Sequence, residues 1–422
     1  MKIFWNVNVK LPVIYQIQGK DNLTNVGGWL TQICDMLLAD TNNELLVVYP
    51  TNVKSGENGG INNFQYRGLY FNPKQLRLGN LAEEENVKKY KELLLENNPD
   101  IIHIHGTEFQ YSYFLIEAAR QCGMIQKVVI SIQGMVKYYA KHYALGIPLL
   151  LRYVFTIKEF ILKSNISSGI SSYIRRGIYE EKALMLAKHV IGRTNWDKGC
   201  VYLINPKARY HFCNETLRKT FYSNEWRLDN CNPHSIFISQ ASYPVKGFHL
   251  FLQALAEVKK YYPDVMAYIA GPSMLTGNIL RGSSYALYIQ KLIKKLDVAA
   301  NVTFLGPQTA DQMKREMLKA NVFVSPSTIE NSPNSLGEAM LLGVPCISSD
   351  VGGVSDLMIH CREGYVYPLE ENYMLAYYII KIFNEPKLAQ EMGKNARNHA
   401  SATHNPNDNF NRLLEIYNEI MT

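Results

Sequence analysis

The chain has 422 residues, 47% of them hydrophobic and 19% charged, which excludes a disordered or fibrous protein and makes two domains the natural expectation. The seven cysteines are scattered, with neither the paired spacing of a metal site nor the framework of a disulfide-stapled secreted domain; His211 and Cys213 read as packed residues. The start MKIFWNVNVK lacks the long apolar core of a signal peptide, and no apolar run is long enough to span a bilayer, so a cytoplasmic protein is expected.

In chain order, the first part predicts strands over Lys2–Val9, Leu45–Tyr49, Asp100–His105, Val128–Ile132 and His189–Gly192. Helical patterns lie between them at Trp29–Ala39, Glu83–Asn97 and Gln110–Cys122. Continuous apolar strands separated by helices predict a parallel sheet covered on both faces. This N-terminal Rossmann-like domain is expected over 1–205. Residues 206–234 are polar and aromatic, with prolines near both ends, and read as a linker region with a short helix around Asn214–Tyr222.

A second alternating unit follows over 235–384. Its strands are predicted at Ser235–Ser239, Val265–Ala270, Val302–Leu305, Val322–Ser325, Pro345–Ser348 and Gly364–Val366. Its helices are predicted at Phe248–Tyr261, Tyr285–Lys295, Ala310–Ala320 and Ser335–Leu342. Residues 385–422 read as C-terminal helices that can pack back on the N-terminal domain. The fold class is α/β, with two doubly wound domains and an interdomain cleft at the carboxyl ends of their strands, where ligands of open α/β sheets bind.

The net charge of +7 is concentrated between Val136 and Lys188, where nine Lys or Arg face three acids, Glu159, Glu180 and Glu181. Apolar and aromatic residues are interleaved there, as in YYAKHYALGIPLLLRYVFTIKEFILK. This composition suits peripheral docking of 136–188 on an anionic membrane surface or a lipid-linked acceptor. The other reading is a solvated basic face over an ordinary helical core. No recognised module accompanies the charge, so nucleic acid is not an expected partner.

Chemistry concentrates in TIENSPNSLGEAMLLGVPCISSDVGG, where Glu330 and Glu338 stand eight positions apart around a strand–loop–helix junction. Such a junction offers free backbone N–H groups, here those of Asn334, Ser335, Leu336 and Gly337, to a diphosphate. The two carboxylates can accept hydrogen bonds from sugar and ribose hydroxyls. A sugar nucleotide fits this pattern. Lys246, ahead of Gly247, opposes the dipole of the helix it opens, and an anion nearby would explain it. Gly27 and Gly28 let backbone approach an anion without a Cβ in the way. His105 ends its predicted strand, Glu108 and Gln133 lie just after strands, and Asn195, Trp196 and Asp197 form a polar–aromatic cluster before the linker.

The run from SQASYPVKGFHLFLQAL through AYIAGP, VTFLGP and FVSPSTIENSPNSLGEAMLLGVPCISSDVGG to EGYVYP resembles the family 4 glycosyltransferases of the GT-B fold. The likeness is close over Ser235 to about Leu369 and looser through NVGGW and PDIIHIHG in the N-terminal half. It implies a retaining hexosyltransferase that takes a nucleotide diphosphate sugar to a glycan or lipid-linked acceptor in surface polysaccharide synthesis. It also implies roles. Glu330 would bind donor-sugar hydroxyls near the reacting centre, and Glu338 the ribose. Lys246 and the amides at Ser335 and Leu336 would hold the diphosphate. Gly306, Pro307 and Gln308 would cradle the base, and Gly27 and Gly28 would approach phosphate and acceptor. Charge on the leaving diphosphate would be met by Lys246 and amides, so no metal or other cofactor is expected.

Two positions depart from the family pattern. Ala241 stands where the family commonly has an arginine, and Gln133 where it often has a histidine, which leaves Gln133 and His105 as the acceptor-side candidates. Two further hypotheses are a nucleotide-sugar epimerase of the same architecture, for which no set of acid–base residues is evident, and a non-catalytic sugar-nucleotide-binding subunit. A nicotinamide dehydrogenase is set aside, because no G-x-G-x-x-G follows the first strand.

Overall fold

The computed structural model describes residues 1–20, 28–275, 279, 280 and 282–422. It contains two sheets. The first has eight strands: β1 (Lys2–Asn6), β2 (Glu44–Thr51), β3 (Glu57–Ile61), β4 (Phe64–Tyr70), β5 (Ile101–His105), β6 (Val128–Ser131), β7 (His189–Gly192) and β8 (Arg209–Phe212). Their order is β3-β4-β2-β1-β5-β6-β7-β8, parallel throughout except for the antiparallel β3–β4 pair. The second has six parallel strands, β9 (Ser235–Ile238), β10 (Met266–Ala270), β11 (Val302–Gly306), β12 (Val322–Ser325), β13 (Cys346–Ser349) and β14 (Tyr365–Tyr367), in the order β11-β10-β9-β12-β13-β14.

The central strands are apolar on both faces because helices cover both. Every residue of β5, β6, β9, β12 and β13 is buried. Strand order reverses beside β1 in one sheet and beside β9 in the other, the switch points at which doubly wound sheets place their ligand loops.

Three strands lie outside the predicted set, all at or beside sheet edges. The β3–β4 hairpin turns on Asn62, in left-handed conformation at φ 51°. It is pinned by Glu57, which accepts from Lys10 Nζ at 2.8 Å and from Thr51 Oγ1 at 2.6 Å. Strand β8 lies inside the segment read as a linker, where a 3-10 turn at Lys219–Tyr222 stands near the expected short helix.

The chain divides into two compact units that are not contiguous in sequence. One comprises 1–140, 171–218 and 404–422, the other 141–170 and 219–403. The division therefore differs from a simple break at 206–234. Ala144, Ile147 and Ile166 belong to the core of the second unit, packed with Phe248, Leu252 and Tyr285. Of the C-terminal helices, Pro386–Thr403 belongs to the second unit and Pro406–Met421 to the first. Leu413, Ile416 and Tyr417 of the latter enter the core with Trp5 and Ile33.

Candidate functional site

In the second unit the loops that leave β9, β12 and β13 meet at the carboxyl ends of adjacent strands. Lys246 ends the turn Pro244–Lys246 just ahead of the helix Phe248–Lys259, rather than lying in the helix itself. Its Nζ donates to Glu330 Oε1 at 2.5 Å, and Ser327 Oγ donates to the same oxygen at 2.8 Å. The side chains are 23% and 12% exposed, so the pair is partly desolvated yet open to a ligand.

Two glycines let these loops stack. Gly247 has φ 65°, and a Cβ there would lie 1.7 Å from Pro326 O. Gly352, the first of the late glycine pair, has φ 53°, and a Cβ there would lie 1.8 Å from Glu330 O. Neither position admits a side chain without moving backbone. Across the contacts Thr328 N donates to Val245 O at 2.8 Å and Gly353 N to Glu330 O at 3.1 Å. Ser349 Oγ holds Ser327 O at 2.6 Å. Glu330 is thus fixed by neighbours on both sides.

The helix Asn334–Leu342 begins after Pro333, with no side-chain cap. Here the amide set is smaller than the sequence reading gave. Leu336 N and Gly337 N both donate to Pro333 O, at 2.9 and 3.2 Å, so the helix's own first turn consumes them. Asn334 and Ser335 supply the N–H groups without an acceptor among the described residues. The Ser335 hydroxyl is fixed by Ser239 Oγ at 3.1 Å, which ties the helix start to the end of β9. Glu338 is only 2% exposed. At the end of β11, Gly306 accepts from Gly271 N at 2.9 Å, Pro307 is exposed, and Gln308 Nε2 folds back on Leu305 O at 2.7 Å. Ala241 is buried in the core of this unit.

The first unit gathers a different set. His105, Gln133, Trp29, Arg193 and Glu215 line one cavity of about 50 Å³. The His105 ring stacks on His103 with centroids 3.7 Å apart and meets Trp5 edge-on at 4.6 Å. Its Nε2 has no partner among the described residues. Burial, reinforced by His103 and Arg193, holds the His105 ring well below the usual histidine range. His103 is brought down to about 3 by burial, and it bridges Tyr417 OH and Ser131 Oγ.

Gln133 Nε2 donates to Glu215 Oε1 at 2.7 Å, and Glu215 in turn is ion-paired to Arg193. Sequence reasoning missed Arg193 and Glu215. Glu215 lies 82 positions from Gln133 and just after β8, a strand that was not foreseen.

Glu108 accepts from Asn8 Nδ2 at 2.7 Å, and burial pushes its carboxyl up. Asp197 accepts from Tyr210 OH and Arg193 N and sits at the start of the helix Asn195–Ile204, while Trp196 packs on Tyr138 and Tyr139, which is structural duty. Gly28 opens the helix Gly28–Ala39, and a Cβ there would meet the Arg218 side chain at 2.8 Å. Gly27 lies outside the described residues.

Two parallel Rossmann-like sheets with their helices define the GT-B architecture. The whole chain superimposes on sucrose-phosphate synthase from Thermosynechococcus elongatus with a TM-score of 0.71, at 17% identity, covering 99% of this chain and 98% of that one. It superimposes on Anabaena Alr3699/HepE in complex with UDP-glucose with a TM-score of 0.68, at 16% identity, covering 99% and 100%. Residues 219–399 match the family described as Glycosyl transferases group 1. This segment carries every residue of the Lys246–Glu330 site. Among curated proteins, the putative glycosyltransferase YtcC of Bacillus subtilis (strain 168) is 27% identical over 183 residues, 42% of this chain and 44% of the relative. The chain thus matches less than half the length of that relative.

Proposed function

We propose that the protein is a glycosyltransferase that moves a hexose from a nucleoside diphosphate sugar to a glycan or lipid-linked acceptor with retention of configuration, as the family 4 likeness implies. The observation that carries this reading is the Lys246–Glu330 pair, with the helix start at Asn334 and Ser335 tied to the end of β9 through Ser239, inside the segment that matches Glycosyl transferases group 1.

The chemistry follows from charge. As the glycosidic bond breaks, negative charge grows on the leaving diphosphate. The Lys246 ammonium and the two amides face that charge where it develops. Glu330, held by Ser327 and by the loop at Gly352, accepts from donor-sugar hydroxyls. Glu338 accepts from the ribose, whose hydroxyls supply donors to a buried carboxylate. Gly306, Pro307 and Gln308 border the base. Attack comes from the face the leaving group vacates, and a phosphate oxygen of the leaving group takes the acceptor's proton. No strong side-chain base is then needed, which accommodates a glutamine at position 133. Gln133 and His105 are the acceptor-side residues on this reading. With its Nε2 committed to Glu215, the Gln133 carbonyl oxygen is the group left to receive an acceptor hydroxyl. Lys246 and the amides do what a divalent cation would do, so EDTA is expected to leave turnover unchanged. Surface polysaccharide synthesis in the cytoplasm is the setting we favour.

A thermal-shift screen with UDP, GDP, ADP and their hexoses tests the donor class, with UDP first because HepE of the same fold holds UDP-glucose. A ligand that binds the native state raises the melting temperature by mass action. No shift with any of them at millimolar concentration would overturn the donor site. Incubation of a bound sugar nucleotide without acceptor then separates transfer from epimerisation, since only an epimerase makes a new sugar nucleotide.

A further inference from the structure

The basic, aromatic stretch that the sequence singled out carries a surface the reaction does not use. Between residues 149 and 162 nine large apolar side chains are exposed, among them Leu150 at 84%, Phe160 at 73% and Ile161 at 70%. Ile279 and Leu280 are exposed beside them, joined through Ile157 N donating to Ile279 O at 2.9 Å. All belong to the second unit.

This segment is not a frayed loop. Thr156 and Glu159 form a capping box that opens the helix Ile157–Leu162. Both are buried, and Glu159 Oε1 also accepts from Ser284 N at 3.0 Å and Ser284 Oγ at 3.1 Å. Thr156 Oγ1 donates to Gly282 O at 2.9 Å. Thr156 and Glu159 point inward while Ile157, Phe160, Ile161 and Leu162 stay exposed, so the helix turns its apolar side chains to the surface. Held this way, the apolar face needs a medium other than water to cover it.

Charge selects the medium. Lys141, Arg152, Lys158 and Lys163 accompany the patch, and the segment's sole acid between 141 and 163, Glu159, is turned inward. A second copy of this chain would bring like charges together. A bilayer with anionic headgroups offers an apolar layer under a negative one. The helices Leu149–Arg152 and Ile157–Leu162 are one to two turns long, which suits shallow penetration. No described helix is long and apolar enough to cross a membrane.

We propose that residues 149–162, with Ile279 and Leu280, insert into the headgroup–acyl boundary of an anionic lipid bilayer. This narrows the membrane contact expected for 136–188 to two short helices, and it stands apart from the donor reading above. The test is co-sedimentation of the full chain with phosphatidylcholine vesicles, with and without phosphatidylglycerol. The wild type is expected to sediment with the phosphatidylglycerol vesicles and to be released by salt. The variant L150S/F160S/I161S is expected to lose at least about tenfold in partitioning. K158E/K163E is expected to lose the preference for anionic lipid. Unchanged circular dichroism and melting temperature show that the variants fold, and Leu150→Ser alone, at the most exposed position, serves if the triple variant does not. Wild-type protein that stays in the supernatant with all vesicles, or serine variants that bind as well as wild type, would overturn the proposal. So would a solution dimer that L150S/F160S/I161S dissociates while no vesicle binds, since the face would then belong to a second copy.

Discussion

Lys246 Nζ and Glu330 Oε1 are 2.5 Å apart, joining the turn after β9 to the loop after β12. The pair keeps a cation and a carboxylate in register before any ligand arrives. On the proposed reading a diphosphate competes with Glu330 for the ammonium, and this makes the two residues separable by experiment. Glu330→Gln is expected to lower turnover at least about a hundredfold while nucleoside diphosphate affinity holds or rises, because the competitor for Lys246 is neutralised. Lys246→Ala is expected to weaken the same nucleotide by about 2 kcal/mol. Calorimetry on both variants, beside a transfer assay, reads the split. Near-normal turnover in Glu330→Gln would remove it from the reaction.

Glu338 makes a second, narrower prediction. If its buried carboxylate accepts from the ribose, Glu338→Ala should weaken nucleoside diphosphate binding by about 1–3 kcal/mol and leave the corresponding deoxynucleotide less affected. Equal losses for ribose and deoxyribose ligands would assign Glu338 a purely structural role.

The glycines at 247 and 352 are expected to be intolerant of a single methyl group. Gly352→Ala would drive a Cβ into Glu330 O and Gly247→Ala into Pro326 O. Each should cost roughly 1–3 kcal/mol of stability or displace the loops with loss of turnover. Gly123→Ala is the control. Its φ is also positive, at 71°, but nothing lies within 4 Å of where a Cβ would stand, so it should lose only the backbone conformational term. Thermal melts of the three variants compare crowding with conformation directly.

The first unit supplies a pH dependence. Burial tends to raise the Glu57 carboxyl, but hydrogen bonds from Lys10, Thr51 and Gln18 and the Lys10 charge outweigh it and bring it down to about 2. A carboxyl whose folded value is depressed contributes its stability above the unfolded value, near 4.5, and loses it as pH falls toward 2. Wild type should exceed Glu57→Gln by about 2 kcal/mol at neutral pH. That difference should shrink between about pH 5 and pH 2, as urea melts along a pH series would show. A difference that is constant with pH would mean that Glu57 acts through packing rather than through its charge.

How much of this was legible follows from burial. The six strands of the second sheet were readable within a residue or two because each is a short, mainly apolar run, and β9, β12 and β13 are buried throughout. Strands β3 and β8 were not, since Glu57–Ile61 carries two glycines and half-exposed side chains and Arg209–Phe212 alternates at an edge. Contiguity misplaced Ala144, Ile147 and Ile166, because nothing in an apolar side chain says which of two cores it will enter. In the candidate site, the sequence pattern singles out Lys246 and Glu330, which the fold brings into contact, and Glu338, which it buries. The hydrogen bonds that use up the Leu336 and Gly337 amides could not, because they depend on where the helix begins. The Arg193–Glu215–Gln133 chain joins residues that only the folded sheet brings together.

Trp5 Nε1 donates to Tyr417 OH at 3.0 Å, across nearly the whole chain. The stretch that closes the first core is therefore the last of the described residues to be synthesised. During translation the strands around Trp5 wait with an open apolar slot while the second unit emerges and folds. A ribosome stalled after Thr403 would present that slot to chaperones, and a peptide copy of Pro406–Met421 supplied separately should fill it.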